Sequence, residues 1–247
     1  MRANTRITRT MKKTFALLSA AALLAISFTS AQAFPTGKSN ESGDYISGTG
    51  LSHLLNGGIY GGTMERDVQF GAVVLPLETS KAVLYLGLEL RPWVTLFVGG
   101  GAAEHELGMA DGDSSHMVEA GLLLNVIDHD ILDPTLFEDR LRLNMGATWS
   151  MTEANWYGED VKWQEINAFV TLSIVNDTTG NKHFNPNSIA LYAGPMYSYI
   201  DSDDLEADQE LGFMAGIEIF MSETISLDLG LRQFDGTGFE GGLNIQF

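Results

Sequence analysis

Apolar and polar side chains alternate with a period of two over most of the chain after residue 54. Between Arg140 and Thr152, Leu141, Leu143 and Met145 begin the apolar parity, while charged, hydroxyl and small residues occupy the other. Successive side chains of a strand point to opposite faces, so the pattern predicts long strands with one apolar and one polar face. Such runs exceed the usual strand length of about 5–6 residues in soluble domains.

Ten segments carry this alternation. Turn-forming residues separate them, and no helical periodicity lies between them, which favours antiparallel pairing. The longest predicted connector covers residues 67–81. The predicted strands are 55–66, 82–91, 94–106, 115–126, 139–153, 161–175, 188–200, 208–220, 224–235 and 238–247.

Two architectures fit these strands: a soluble sandwich or barrel, and a barrel that spans a membrane. Strands that cross a bilayer need about 9–11 residues. One face is uniformly aliphatic and the other mixes small residues with charges of both signs, which favours a lipid-facing wall around a charged lumen. Closure also leaves no backbone edge unpaired in hydrocarbon. The predicted fold is an all-β, closed antiparallel up-and-down transmembrane barrel of about ten strands, with eight as the alternative.

The polar face predicts a network of paired charges in the barrel lumen. Charges in a narrow interior must be matched by opposite charges. The predicted members are Glu89, Arg91, Glu119, Arg140, Arg142, Glu165, Glu218, Asp228, Arg232 and Glu240. Aromatic residues near the predicted strand ends are expected to form interfacial girdles: Trp93, Trp149, Trp156, Tyr157, Trp163, Tyr197, Tyr199, Phe239 and Phe247.

The first 33 residues have the form of a cleaved secretory signal. Lys12 and Lys13 precede an apolar run that ends at the small residues Ala31 and Ala33. Residues 34–54 are predicted to be a periplasmic tail or a short plug, and 55–247 the barrel. An uncleaved anchor is the alternative for 1–33, although the apolar run is short for a span.

Charge excludes one class of partner. The chain has 14 Lys plus Arg and 32 Asp plus Glu. Cleavage after residue 33 removes five of the basic residues, so nine remain against 32 acidic ones, a net charge of −23. A nucleic acid is therefore not expected as a partner. The absence of cysteine means that an exported chain of this sequence has no disulfides.

The final residues, FEGGLNIQF, alternate to the last position, with Phe239, Leu243, Ile245 and Phe247 on the apolar parity. This ending resembles the C-terminal signal strand of bacterial outer-membrane proteins. With the leader and the strand pattern, the mature chain resembles the small OmpA-, OmpX- and opacity-protein-like barrels. The resemblance implies an outer-membrane location and recognition of Phe247 by the barrel-assembly machinery. The count of ten departs from the eight strands typical of that superfamily.

Two kinds of chemistry are alternatives to a purely structural barrel. Lipid-modifying barrel enzymes place a Ser/His/acid set at the outer rim, and one predicted outer loop is flanked by His105, Ser114, Ser115, His116 and Glu119. No motif fixes their geometry, so the predicted catalytic set is none.

The run Asp201 to Glu210 has six carboxylates in ten residues, which suits calcium or magnesium. It lacks the spacing of an EF-hand, so no cofactor is predicted. The candidate metal ligands in it are Asp201, Asp203, Asp204 and Glu206.

These features predict a non-catalytic outer-membrane barrel with a structural or surface-interaction role. A narrow pore for small solutes is the first alternative, and a lipid-modifying rim enzyme the second. The expected partners are outer-membrane lipid and lipopolysaccharide, the assembly machinery, and an external ligand that the sequence does not identify.

Deletion of Phe247 is expected to reduce assembly, because the resemblance implies that the final aromatic residue is recognised. The measurement is the heat-dependent shift in gel mobility of the protein in membrane fractions. Full retention of the shifted band by the deletion variant would contradict the assigned role.

Overall fold

The computed structural model describes residues 55–91, 93–133, 137–177, 188–222 and 224–247. The predicted signal, tail and plug in residues 1–54 lie outside this part. The described chain contains twelve strands: β1 (Leu55–Phe70), β2 (Val73–Arg91), β3 (Val94–Leu107), β4 (Ala110–Asp111), β5 (Ser115–Asp133), β6 (Phe137–Trp156), β7 (Glu159–Asp177), β8 (Ser188–Asp201), β9 (Leu205–Ala207), β10 (Leu211–Phe220), β11 (Ile225–Gln233) and β12 (Thr237–Gln246).

Ten long strands form one antiparallel sheet in chain order, and β12 pairs with β1 to close it. The short strands β4 and β9 are additions that pair with β3 and β1. Closure continues to the last residue, where the Phe247 amide donates to the Leu55 carbonyl at 3.0 Å. The predicted closed up-and-down barrel is confirmed, with ten strands rather than eight.

The connector predicted over residues 67–81 is wrong. Strands β1 and β2 continue in register to Phe70 and Val73, so only two residues form the turn. Gly71 in this turn has a φ of 62°, a left-handed conformation that glycine adopts without a steric penalty. The hairpin between β6 and β7 likewise turns through Tyr157 and Gly158, with φ of 56° and 86°, the backbone signs of the two-residue turn that matches strand twist.

The barrel has two distinct ends. Leu55 and Phe247 meet at one, here called the terminal end. The hairpin between β1 and β2 and that between β6 and β7 lie at the other, the hairpin end.

The outward face is apolar from the terminal end through most of the wall. On β3 the outward side chains are apolar or glycine up to Ala102, and Glu104 and Glu106 follow; on β6 the change comes between Met151 and Glu153. The upper parts of these strands therefore lie beyond the apolar band. The residues of the predicted C-terminal signal share the outward parity of β12: Phe239, Leu243, Ile245 and Phe247.

Exposed aromatic side chains mark both edges of the apolar band. Trp93 and Phe247 lie near the terminal end, each more than half exposed. Toward the hairpin end the exposed aromatic residues are Trp149, Tyr197, Tyr199, Phe213 and Phe239, with Tyr157 exposed in the β6–β7 turn beyond them. Within the described ranges, no helix is long and apolar enough to cross a membrane.

The inward face is filled by its own side chains. One buried cluster in the middle of the barrel includes Tyr85, Phe97 and Phe169. A Cβ added to Gly121 would lie 2.3 Å from the Phe97 ring, so a glycine is needed where this ring crosses the neighbouring strand. A smaller cluster of Val175, Ala190 and Phe220 lies toward the terminal end.

A second apolar cluster closes the hairpin end; we call it the cap. Strands β10 to β12 are short, and β9 bridges the space beyond them by pairing with β1. Trp156 and Trp163 stack within the cap at 5.6 Å between ring centroids, so their assignment to an outer girdle is wrong. The buried members of the cap are Val68, Leu77, Leu107, Ala154, Trp156, Val161, Trp163, Ile200 and Leu205.

Cysteines introduced at Thr63 and Phe239 are expected to form a disulfide on oxidation, because these residues are directly opposed across the closing seam. The chain has no other cysteine, so the product is unambiguous. The matched control pairs Thr63→Cys with Leu243→Cys, which lies opposite Ile59 and about 13 Å further along the strand. Equal cross-linking of both pairs in folded protein would contradict closure in this register.

Candidate functional site in the barrel lumen

All but one of the charged residues predicted for the lumen lie on the inward face of the barrel. Most are almost fully buried; Glu218, Asp228 and Glu240, for example, each expose only 2% of their surface. Arg140 and Glu165 also point inward, but their side chains are more exposed, by 12% and 27% of their surface. The residues found in the lumen are Glu89, Glu119, Arg140, Arg142, Glu165, Glu218, Asp228, Arg232 and Glu240.

Arg91 is the exception, and its predicted place in the lumen network is wrong. The pairing of β2 with β3 shifts between Glu89 and Arg91, so that Arg91 lies opposite Val94. A bulge adds one residue to one strand and reverses the parity that follows. Glu89 therefore points inward while Arg91 is exposed on the outer wall at the terminal end.

The central charge cluster joins three strands through one carboxylate. Glu240 on β12 forms ion pairs with two cations: its carboxylate oxygens lie 3.1 Å from Arg232 Nε and 3.6 Å from Lys81 Nζ. The ammonium of Lys81 also lies 5.3 Å from the centre of the Tyr60 ring, within cation–π range. One buried carboxylate thus lies between two cations and offsets part of their charge.

A second cluster lies between the central one and the cap. Arg66 Nη1 donates to Glu165 Oε1 at 3.2 Å and to Ser198 Oγ at 2.8 Å. Ser198 Oγ in turn donates to the same carboxylate oxygen at 2.6 Å. The predicted network lacks both cations. Lys81 lies in the connector predicted over residues 67–81, and Arg66 is the last residue of the predicted strand 55–66.

A third cluster lies toward the terminal end and depends on another bulge. The pairing of β5 with β6 shifts between Asn125 and Ile127, which turns Asp128 toward the lumen. Its two carboxylate oxygens each lie 3.3 Å from an arginine Nε, that of Arg140 and that of Arg142. Asp128 lies beyond the end of the predicted strand 115–126, and nothing in the sequence pattern marks the bulge, so this residue is also absent from the predicted network.

Neighbouring acidic residues on β10 and β11 are held by hydroxyl groups. Ser226 donates to Glu218 at 3.1 Å, and the Tyr192 hydroxyl donates to Asp228 at 2.9 Å. At the same end, Gln246 donates to Glu89 at 3.2 Å. The carboxylates of the lumen are therefore used as hydrogen-bond acceptors as well as ion-pair partners.

The structure does not bring the Ser/His/acid residues of the alternative catalytic set together at one site. His105 and Ser115 point inward, but the ring nitrogens of His105 lie 3.0 Å from the Thr79 and Thr152 hydroxyls, and Ser115 bonds Thr152 at 3.1 Å. Ser114 and His116 are exposed at the rim, outside this chain of hydroxyls, and Glu119 is buried deeper in the lumen.

His105 lies beyond the apolar band, at the level of Glu104 and Glu106. Burial lowers its pKa to about 4, an effect that Lys81 reinforces and Glu165 opposes. The ring is therefore neutral near pH 7 and donates or accepts within the hydroxyl chain. A pKa this far below the operating pH does not suit a general base.

The acidic run from Asp201 to Glu210 lies across the hairpin end instead of forming a free loop. Leu205 in its middle is buried in the cap, while Asp203, Asp204 and Glu206 are exposed. Among the described residues, no group of three or more acidic or histidine side chains could hold a metal ion. The candidate metal ligands are thus placed on the surface and not around a common centre.

Between the cap and the central cluster the lumen holds a cavity of about 40 Å³. Lys81, His105, Glu165 and Glu240 are among the side chains that line it. One water needs about 10–15 Å³ on this measure, so the cavity has room for only a few waters. The arrangement can hold charge and water, and it leaves little space for a solute.

Comparison with known proteins identifies no family for this chain. No protein-family model matches the chain, and the search of curated proteins found no relative. Neisserial surface protein A is 12% identical with a TM-score of 0.39, over 80% of this chain and 99% of that one. An outer-membrane channel from Pseudomonas putida F1 is 13% identical with a TM-score of 0.34, over 84% of this chain and 98% of that one. At these values the likeness assigns no role to any residue.

Replacement of Glu240 by leucine is expected to lower the free energy of unfolding by about 3–5 kcal/mol, because two buried cations lose their shared carboxylate. Urea unfolding in lipid vesicles measures the change. The matched control is Glu153→Leu, which removes the exposed pair with Lys162 and should leave stability nearly unchanged. Equal effects of the two substitutions would contradict a stabilising role for the central cluster.

Proposed function

We propose that this chain is a non-catalytic outer-membrane β-barrel with a structural or surface-interaction role. The observation that carries the proposal is the filled lumen, in which Arg66, Lys81 and Arg232 meet carboxylates below an apolar cap. Such an interior serves as a rigid core for the barrel. The exposed surface of the hairpin end is then what the protein offers to other molecules.

The outer wall supports the membrane location. Its apolar band is edged by exposed aromatic residues at both ends, as in interfacial girdles. We assign the terminal end to the periplasm, as the resemblance of the C-terminal strand implies, and the hairpin end to the cell exterior. The assembly machinery and membrane lipid, including lipopolysaccharide outside, are the partners that this orientation provides.

The exposed acidic residues at the hairpin end are the candidate contact surface. Asp203, Asp204 and Glu206 surround the buried Leu205, so removing the whole segment would also remove part of the cap. A partner that binds this surface must be cationic, or be bridged by divalent ions to an anionic group. Substitution of the exposed acids alone would preserve the cap.

A narrow pore is the alternative function, and two observations count against it. The cap covers the hairpin end, and the cavity below it holds only about 40 Å³. Barrels with aqueous channels have about 16–18 strands, whereas small barrels are filled by side chains. A rim enzyme is disfavoured by the separated Ser114 and His116 and by the neutral, hydroxyl-bound His105.

Planar-bilayer recording tests the proposal. The folded wild-type barrel is expected to give no discrete conductance steps, while a porin of about 16 strands inserted in the same way gives them. Heat-dependent gel mobility confirms that the inserted sample is folded. Discrete steps in the wild type that shift in Arg140→Gln or Arg232→Gln, and not in the surface control Glu153→Gln, would establish the pore and overturn the proposal.

A further inference from the structure

The outer wall contains an apolar groove over β12, β1, β2 and β3. Its volume is about 650 Å³, within the range of about 300–1,000 Å³ that is typical of small-molecule sites. The groove runs from the level of Phe247 at the terminal end toward the middle of the wall. The side chains and glycines that define it are Gly57, Leu84, Leu86, Gly100, Ile245 and Phe247.

Glycines on the outward parity create this groove. In the long strands of the described chain, the outward-facing glycines are Gly57, Gly61, Gly100 and Gly241, and all belong to β1, β3 and β12. The corresponding outward positions of the other strands carry alanine or larger side chains. Two of these glycines, Gly57 and Gly100, line the groove, where the missing side chains leave a depression beside Leu84 and Leu86.

A cation lies beyond the lower end of the groove. The bulge in β2 turns Arg91 outward, five residues past Leu86 on the same strand. Leu86 and Arg91 are therefore about 16 Å apart along the strand, close to half of the roughly 30 Å hydrocarbon thickness. If Leu86 lies near the middle of the hydrocarbon, Arg91 lies at its boundary. Trp93, exposed in the following turn, marks the same level as an interfacial aromatic residue.

Arg91 is also unusual among the cations of this chain. Of the described Lys and Arg side chains, only Arg91 and Lys162 lie on the outer surface. Lys162 is at the hairpin end and pairs with Glu153 at 2.9 Å. Among the described residues, the terminal end of the outer wall thus presents one cation, placed below an apolar groove.

We propose that the groove binds one acyl chain of a diacyl phospholipid from the periplasmic leaflet, with the lipid phosphate on Arg91. The inference rests on the proposed outer-membrane location and orientation. Within that setting, the groove lies in the hydrocarbon and accepts an acyl chain. The guanidinium matches a phosphate oxygen pair by charge-assisted hydrogen bonds. The groove and Arg91 together favour a phospholipid over a neutral hydrocarbon, because a neutral hydrocarbon has no group that pairs with the guanidinium.

Native mass spectrometry of the folded barrel in detergent, with added phosphatidylglycerol, tests the inference. The Gly100→Phe variant fills the groove; its new Cβ would make only an ordinary van der Waals contact, with Met117 O at 3.8 Å. Ala102→Phe, on the same outward face of β3 but outside the groove, is the matched control. Arg91→Gln removes the charge, and Arg91→Lys restores it.

The wild type and Ala102→Phe are expected to retain one phospholipid, and Gly100→Phe none. Arg91→Gln should retain lipid about tenfold more weakly, the effect of losing about 1.4 kcal/mol of ionic contact, with partial recovery in Arg91→Lys. Equal retention in all variants, or no retention by the wild type, would overturn the proposal. A dimer mass that disappears in Gly100→Phe would assign the groove to a second copy of the chain and would overturn it as well.

Heat-dependent gel mobility of each variant separates this inference from the proposed function. A folded, membrane-inserted barrel that retains no phospholipid would leave the proposed function in place and remove only the lipid site. If Gly100→Phe does not fold, lipid retention by Arg91→Gln tests the proposal by itself. This variant is expected to fold because the residue is exposed and lies outside the groove.

Discussion

The hydrogen-bonded seam between β1 and β12 is the constraint on which the rest of the structure depends. In hydrocarbon no water can satisfy an open sheet edge, so a sheet that crosses the bilayer must close. The seam joins the first described strand to the last, from Asn56 opposite Gln246 to Met64 opposite Gly238. It fixes the number of strands at ten and thereby the width of the lumen. A lumen this narrow is filled by side chains.

Charge pairing in the lumen follows from that width. Removing two charges from water costs several kcal/mol per ion unless good geometry and additional hydrogen bonds offset it. The structure meets this requirement in separate clusters, around Glu240, Glu165 and Asp128, each of which has at least one arginine. The apolar cap then covers the clusters at the hairpin end. Charge pairing and capping thus follow from closing this sequence into a barrel of ten strands.

Much of this architecture could be predicted from the alternation of side chains alone. The period of two located the ten long strands, and the parity of residues such as Glu240 and Arg232 correctly indicated the inward face. Alternation reports which face a residue takes only while the register is unbroken. Two bulges break it, which sent Arg91 outward and brought Asp128 inward.

The hairpin end was less predictable for a different physical reason. Beyond the apolar band the outer face of a strand is polar, while its inner face packs into the apolar cap. The parity seen in the wall therefore reverses, and β1 and β2 were predicted to end early. The cap is also built from residues distant in sequence, with Trp156, Trp163 and Leu205 meeting only in the closed barrel. Local pattern carries no information on such contacts, and an acidic run around one leucine gave no signal that β9 docks on β1.

A double-mutant cycle on Arg232 and Glu240 tests the central claim most directly, using Arg232→Met, Glu240→Met and the double variant unfolded by urea in lipid vesicles. If the lumen is stabilised by paired charges, the two single changes should each destabilise the barrel, and the double change should cost less than their sum by about 0.5–3 kcal/mol. Effects that add to within about 0.3 kcal/mol would contradict the account, because the two side chains would then not be partners in the folded lumen.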